Sequence, residues 1–225
     1  MRKTLIAAAI ISATPFLGAS FAVAQDSPFS GSITFVSDYM SRGFSWSAGS
    51  PAVQGDISYS HASGFYAGVW ASSISDRSWG NIGTDGVEFD LSAGFAGELG
   101  DFGYDLGAVR YIYPGSQPTS APDGTDSTEL YIGLSWNVLT FKYARDLDWD
   151  TNYYSLDASY PLAQDFSLDL GVGALDPDEG GNYTNWKIGV STAYAELDFG
   201  LHYVDSDENG PNFDRTVVFS VGKSF

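Results

Sequence analysis

The sequence contains no cysteine. A disulfide, a thiolate metal site and a cysteine nucleophile are therefore all excluded. Nothing else in the chain indicates a bound cofactor, and we predict none.

Basic residues are scarce as well. Ten lysines and arginines stand against 28 aspartates and glutamates, which gives a formal net charge of −18. Nucleic acids and anionic lipid surfaces are negative themselves and would repel such a chain. We therefore expect no nucleic-acid partner.

Long apolar runs are missing apart from one near the N-terminus. The run at residues 5–16 follows two basic residues and precedes a small-x-small site at residues 22–24. This pattern predicts a secretory signal peptide, residues 1–24, and a mature domain of residues 25–225. The run is shorter than the roughly 18 apolar residues of a membrane helix, and no later stretch reaches that length.

The chain is rich in glycine and aromatic residues, and its polarity alternates. Glycine contributes 26 of 225 residues and aromatic residues 16%. Polar and apolar side chains alternate along the mature chain, most clearly at residues 87–99, and this period of two predicts strands rather than helices. Counting such segments predicts an all-β fold of about twelve strands, with ten or fourteen as alternatives because strand boundaries are the weakest part of such a count. The strands are expected to centre near residues 37, 56, 69, 93, 107, 132, 142, 156, 170, 188, 200 and 220.

The predicted connections alternate between short and long. Short ones fall near residues 61–64, 100–101, 137–138, 161–165 and 193, and long polar ones at residues 43–51, 75–86, 114–126, 175–182 and 206–214. The short link around Trp149 is the one exception. Short turns at one end and long loops at the other are typical of an up-and-down antiparallel transmembrane β-barrel of the outer membrane.

Three features favour this membrane barrel over a soluble sandwich. The polar face carries many glycines, which would weaken a solvated strand face but would leave room for water in a narrow lumen. The last strand alternates to a terminal Phe225, an ending that resembles the C-terminal signature of bacterial outer-membrane proteins. Aromatic residues cluster near strand ends, as interfacial girdles require. They are Tyr111, Tyr113, Trp136, Tyr153, Tyr154, Tyr160, Trp186 and Tyr203.

Residues 37–73 resemble the TorF-type porin family, a Gram-negative family of conserved hypothetical outer-membrane proteins. The matching pieces are Ser37-Asp38-Tyr39, Arg42-Gly43, PAVQG at residues 51–55 and GFYAGVW at residues 64–70. The similarity continues more weakly to the C-terminal phenylalanine. The resemblance implies an outer-membrane β-barrel with a pore role, and it implies no particular solute.

Placing the polar face inside predicts the pore-lining side chains. They are the acids Asp38, Asp56, Glu88, Asp90, Glu98, Asp105, Glu129, Asp157, Asp169, Glu196 and Asp198, the bases Arg42, Lys142 and Lys187, and His202. An excess of carboxylates attracts cations, so we predict a cation preference, unless the acids sit at the rims or pair with the bases. Twelve strands should leave a narrow path, unless the inward Tyr66 and Trp70 close it.

Asp38 and Arg42 look like a functional pair. On a strand they would share one face but lie about 13 Å apart, at 3.3 Å per residue, which is too far for a direct ion pair. The antiparallel return would bring Asp56 opposite Arg42 instead. We therefore predict a contact between Arg42 and Asp56 across the lumen wall.

Two further patterns suggest other chemistry. Residues 205–210 match the opening of a calcium loop, but Thr216 stands where such a loop needs a bidentate glutamate. His202 is predicted to face the lumen beside Asp198, an arrangement that is more often structural than catalytic. We therefore predict neither a specific metal site nor an enzyme.

The sequence thus predicts a porin-like channel for passive diffusion of ions or small solutes. Its expected partners are outer-membrane lipid, small solutes and the barrel-assembly machinery, which would bind the strand ending at Phe225. A closed-lumen structural or adhesive surface protein is the alternative. A soluble exported ligand-binding barrel, with its apolar face inside, is a third reading.

Overall fold

Twelve long strands form one closed antiparallel barrel in the computed structural model, which describes residues 27–79, 84–116, 125–162 and 165–225. The predicted signal peptide, residues 1–24, lies outside the described residues. None of the described segments is a helix long and apolar enough to cross a membrane.

The barrel strands follow one another along the chain, interrupted by one small hairpin. They are β1 (Phe29–Val36), β4 (Ala52–Ser60), β5 (Phe65–Ser73), β6 (Val87–Leu99), β7 (Phe102–Ile112), β8 (Ser127–Trp136), β9 (Leu139–Asp146), β10 (Thr151–Pro161), β11 (Phe166–Pro177), β12 (Tyr183–Tyr194), β13 (Leu197–Ser206) and β14 (Thr216–Ser224). The hairpin consists of β2 (Met40–Ser41) and β3 (Phe44–Ser45), and a short 3-10 helix spans Asp76–Trp79. The predicted all-β barrel is confirmed.

The barrel closes where β1 pairs with both β4 and β14. At the end of the β1–β14 seam, Gly31 and Phe225 exchange two backbone hydrogen bonds of 2.9 Å. Closure pairs both edges of every barrel strand, and a bilayer penalises unpaired backbone groups by several kcal/mol each. All predicted strand centres fall inside observed strands except the first, because β1 ends at Val36 rather than continuing past residue 37.

Connections of different length lie at opposite ends of the barrel. The strand ends at Ser60, Leu99, Trp136, Pro161 and Tyr194, after which short connections follow, share one end of the barrel with the start of β1 and the end of β14. The strand ends at Val36, Ser73, Ile112, Asp146, Pro177 and Ser206 share the other end. The predicted alternation is confirmed, including the short link around Trp149.

The outer face of the barrel is apolar. Phe141, Leu156 and Val172 are register neighbours on β9, β10 and β11, and they are 40%, 46% and 47% exposed. Exposed aromatic rings mark the end that carries the turns, namely Phe29, Phe65, Phe102, Trp136, Tyr160, Phe166, Tyr194 and Phe225. An apolar belt edged by aromatic rings is the outer surface of a membrane-spanning barrel.

Leu156→Arg tests whether lipid covers this face, because it places a charge at the middle of β10. We expect the free energy of unfolding to fall by about 2–4 kcal/mol, the cost of a charge at the bilayer midplane. Leu147→Arg is the matched control, since Leu147 is 50% exposed in the link between β9 and β10. Chemical unfolding in lipid vesicles measures both variants. Equal effects would contradict a lipid-facing outer surface.

Candidate functional site

The chain folds into the barrel directly after β1. Residues 37–51, here called the inserted loop, carry the β2–β3 hairpin. Tyr39 and Met40 of this loop are only 3% and 1% exposed, and they pack on a cluster that includes Trp70, Val204 and Val218. These three residues lie on β5, β13 and β14, so the loop fills the lumen at the end that carries the long connections.

A tight turn at the tip of the hairpin makes this path possible. Arg42 and Gly43 have φ angles of 52° and 81° and connect β2 to β3 directly. Two consecutive positive φ angles are those of a type I′ hairpin turn. The left-handed region costs a residue with a side chain about 1–2 kcal/mol, so the position of Arg42 must be held by other contacts. The predicted extended strand through this stretch is therefore wrong.

Asp38 holds the base of the hairpin. Its carboxylate accepts hydrogen bonds from the Ser45 hydroxyl at 2.6 Å and the Ser47 hydroxyl at 2.9 Å. The Ser47 hydroxyl in turn accepts a bond of 2.8 Å from the Tyr39 backbone amide. The structure places Asp38 inside the inserted loop, 7% exposed, and not on the barrel wall as predicted.

Arg42 binds to the opposite wall of the lumen. Its guanidinium forms an ion pair with Glu129 of β8, whose side chain is 1% exposed. The Arg42 Cζ atom also lies 4.3 Å from the centre of the Tyr153 ring on β10. The Tyr111 hydroxyl donates a 3.3 Å hydrogen bond to Glu129 from β7. Three wall strands thus hold the tip of the inserted loop.

The predicted contact between Arg42 and Asp56 is wrong. The Asp56 carboxylate accepts a hydrogen bond from Ser32 on the neighbouring strand β1. The prediction assumed that β1 continues through Arg42 and that the next strand runs back antiparallel to it, with Asp56 opposite Arg42. Because the chain turns inward after Val36, Arg42 reaches a strand far away in the sequence instead.

Lys142 is a second base next to Glu129. Its ammonium nitrogen lies 3.7 Å from Glu129 Oε1 and 4.4 Å from the centre of the Tyr131 ring. One carboxylate therefore interacts with two cations, and each cation also lies over a tyrosine face.

Further acids line β6 and β7 beside this group. Glu88, Asp90 and Asp105 are each 1% exposed. Tyr113 donates to Glu88 at 2.8 Å, and Tyr66 donates to Asp105 at 2.6 Å. One oxygen of each of the three acids has no hydrogen-bond partner among the described residues. This side of the lumen therefore holds a cluster of buried carboxyl groups.

Glycines in the wall make room for long side chains. In the register across β5 to β8, Tyr66, Gly94, Gly107 and Tyr131 stand side by side. The two tyrosine hydroxyls meet over the glycines and are hydrogen-bonded to each other. A Cβ atom on Gly107 would lie only 2.7 Å from the Tyr66 hydroxyl. These glycines, which we expected to leave room for water, instead accommodate side chains.

Glycines also allow charged residues on strands that are not neighbours to meet. Lys187 reaches over Gly171 to Asp157, with a distance of 2.9 Å between the charged atoms. His202 lies in register with Gly189 and bonds Asp169 at 3.1 Å. His202 faces the lumen as predicted, and the acid that it bonds is Asp169 on β11, whereas the predicted neighbour Asp198 lies on its own strand.

Glu196 lies outside the lumen. Ala195 and Glu196 have φ angles of 52° and 62° in the turn between β12 and β13, so the strand alternation does not extend to Glu196. Its side chain is 82% exposed and bonds Lys223 at 2.8 Å. This hydrogen bond lowers the pKa of the Glu196 carboxyl. The prediction that Glu196 lines the pore is therefore wrong.

Sequence reasoning missed three residues of the lumen. Tyr111 and Tyr153 were assigned to interfacial girdles, but they lie against Glu129 and Arg42. Strand alternation could have placed Tyr153 inside, because it lies an odd number of positions from the outward Leu156. Asp146 was not considered, and its carboxylate accepts backbone bonds from residues 148 and 149 at 3.0 and 2.9 Å.

Gly43→Ala tests whether the hairpin needs its close approach to the wall. A Cβ atom at Gly43 would lie 2.8 Å from Asn185 Cβ and 3.0 Å from Ser206 Cβ, so we expect the hairpin to leave its place. Gly49→Ala is the matched control, because Gly49 also has a positive φ, 71°, but nothing lies within 4 Å of its added Cβ.

Amide hydrogen exchange over residues 38–47 measures the effect. We expect exchange to rise by at least about tenfold in Gly43→Ala, the result of a destabilisation of about 1.4 kcal/mol, and clearly less in Gly49→Ala. Equal protection in the two variants would show that the hairpin does not depend on this contact.

Solved barrels with the same fold are porins and an outer-membrane protein. The KdgM porin is 9% identical over 87% of this chain and 98% of its own, with a TM-score of 0.59. The NanC porin is 12% identical over 86% of this chain and 97% of its own, with a TM-score of 0.53. Omp33 of Acinetobacter baumannii is 7% identical over 88% of this chain and 98% of its own, with a TM-score of 0.54. At these identities the likeness establishes the fold alone.

Sequence comparison places the chain in a family. A search of curated proteins found no match. The resemblance to TorF-type porins stays a prediction. A family model described as "Bacterial protein of unknown function (Gcw_chp)" matches residues 22–225. The chain therefore belongs to the Gcw_chp family of bacterial proteins.

Proposed function

We propose that the protein is a porin-like channel of the bacterial outer membrane, through which ions or small solutes diffuse passively. One observation carries the proposal: the closed barrel is apolar outside and charged inside. An apolar belt suits a bilayer, whereas a polar interior is that of barrels with a water-filled lumen. The fold that the chain shares with the KdgM and NanC porins supports the same function.

Export and assembly follow from the same proposal. Residues 1–24 would direct the chain across the inner membrane and be removed. The last strand, ending at Phe225, would be the segment that the barrel-assembly machinery binds. Phe225 is 75% exposed beside the β1–β14 seam, where a binding partner can reach it.

The charges of the lumen support a preference for cations. Within the described part of the barrel strands, the inward acids outnumber the inward bases. By strand alternation the acids are Asp56, Glu88, Asp90, Glu98, Asp105, Glu129, Asp146, Asp157, Asp169 and Asp198, and the bases are Lys142 and Lys187. Low-dielectric walls focus such a field and raise the local concentration of cations.

The inserted loop would set the size of the permeant species. It brings Arg42 across the lumen to Glu129 and packs Met40 against the wall. A channel narrowed in this way conducts weakly and admits small solutes only. No catalytic step is part of the proposal: His202 is 3% exposed and hydrogen-bonded to Asp169, which orients it within the wall.

One observation favours a second candidate, a closed-lumen structural or adhesive surface protein. The apolar cluster of Tyr39, Met40, Trp70, Val204 and Val218 lies inside the barrel, where an open pore would hold water. Planar-bilayer recording separates the two candidates. Well-folded protein that carries no current, in the wild type and in Gly43→Ala, would favour the closed barrel.

Ion selectivity tests the leading proposal. In a KCl gradient we expect a reversal potential of the sign that cation preference produces. Neutralising two partly exposed lumen acids with Asp157→Asn and Asp198→Asn should lower the cation-to-anion permeability ratio by at least about twofold, because the attracting field weakens. Glu196→Gln is the control: it removes a carboxylate that lies outside the lumen, and it should leave the permeability ratio unchanged. Anion preference in the wild type would contradict the proposal.

A further inference from the structure

The lumen binds two of the protein's own cations in the same way. The Arg42 guanidinium contacts Glu129 and lies 4.3 Å from the centre of the Tyr153 ring. The Lys142 ammonium lies 3.7 Å from Glu129 and 4.4 Å from the centre of the Tyr131 ring. A carboxylate beside a tyrosine face is a general way to recognise organic cations, because ionic attraction and cation–π attraction add.

The two cations differ in how they are attached. Lys142 belongs to the wall strand β9, whereas Arg42 stands at the tip of the inserted loop. The groups that hold Arg42 belong to the wall: Glu129 lies on β8 and Tyr153 on β10. The recognition site therefore exists independently of the loop, and the loop supplies only its occupant.

Because the Glu129 carboxylate is buried, it favours a bound cation. The Glu129 side chain is 1% exposed, and a buried carboxylate needs compensating positive charge, which Arg42 supplies by direct contact and Lys142 from 3.7 Å. A planar guanidinium suits the site better than an ammonium, because it can bond a carboxylate and stack on a ring at the same time. Arg42 itself has a φ of 52°, so the loop holds its guanidinium in the site at a cost in backbone strain.

We propose that Glu129 and Tyr153 form a binding site for the guanidinium group of small solutes, and that Arg42 occupies this site as an internal ligand. Such a solute competes with Arg42, and its binding favours withdrawal of the inserted loop. The inference rests on the channel function proposed above and names the solute class that the channel recognises.

Chemical rescue tests the proposal. In Arg42→Ala the site is vacant, and we expect a larger single-channel conductance than in the wild type. Guanidinium chloride should then reduce this current. The half-blocking concentration should be at least about tenfold lower than in the wild type, where Arg42 competes for the site. Potassium chloride at the same ionic strength controls for charge screening.

Two further variants make the test specific. Adding Glu129→Gln to Arg42→Ala should raise the half-blocking concentration at least about tenfold, because the carboxylate is lost. Arg145→Ala removes an arginine that pairs with Asp150 and Asp178 outside the lumen, and it should behave like the wild type. Equal block of the wild type and Arg42→Ala, or block that survives the loss of Glu129, would overturn the proposal.

Calorimetric titration separates this inference from the channel function. Guanidinium chloride is titrated into folded, detergent-solubilised Arg42→Ala and into Arg42→Ala/Glu129→Gln. We expect saturable heat in the first variant and none in the second. If no variant conducts, the channel proposal fails while titration still decides the binding site. Conduction without saturable binding to Arg42→Ala overturns the binding site alone.

Discussion

The interior space of a twelve-stranded barrel is the constraint on which the rest of this structure depends. About eight strands enclose a volume that wall side chains can fill, and twelve enclose more. Many inward positions here are glycine or serine, which widens the interior further. The chain fills one end of this space with residues 37–51, and Tyr39 and Met40 become as buried there as the core of a soluble protein.

Glycine has a second role in that interior. Where a wall position lacks a side chain, a long residue from the adjacent strand can lie flat and reach the strand beyond it. Tyr66 and Tyr131 meet in this way across β6 and β7, and His202 reaches Asp169 across β12. Side-chain hydrogen bonds thus connect barrel strands that are not neighbours, in addition to the backbone hydrogen bonds between adjacent strands.

Glu129 connects the fold to the proposed function. It is a nearly inaccessible carboxylate with Arg42 on one side and Lys142 on the other. Breaking a buried ion pair costs far more than an exposed one contributes, so Arg42 strongly favours the inserted position of the loop. The contact that narrows the lumen is therefore also the contact through which a cationic solute can influence the loop.

The sequence by itself determined where most strands lie and which face of a strand is apolar, and it indicated about twelve strands. These properties follow from the period of two, which is local to the backbone and needs no knowledge of distant residues. The apolar belt around Leu156 and the positions of the turns are examples. Even here, side chains alternate between the two faces only within a strand, and Glu196 lies in a turn, where this alternation does not apply.

Only the tertiary structure decided what meets inside the barrel. Arg42 and Glu129 are 87 positions apart in the sequence, and their contact depends on barrel closure and on the turn at Arg42 and Gly43. Alternation placed both side chains in the lumen but carries no information about distance across it. For the same reason the partner of Arg42 could not be read from the stretch DYMSRGFSW, which a two-residue turn folds into the space that the barrel leaves open.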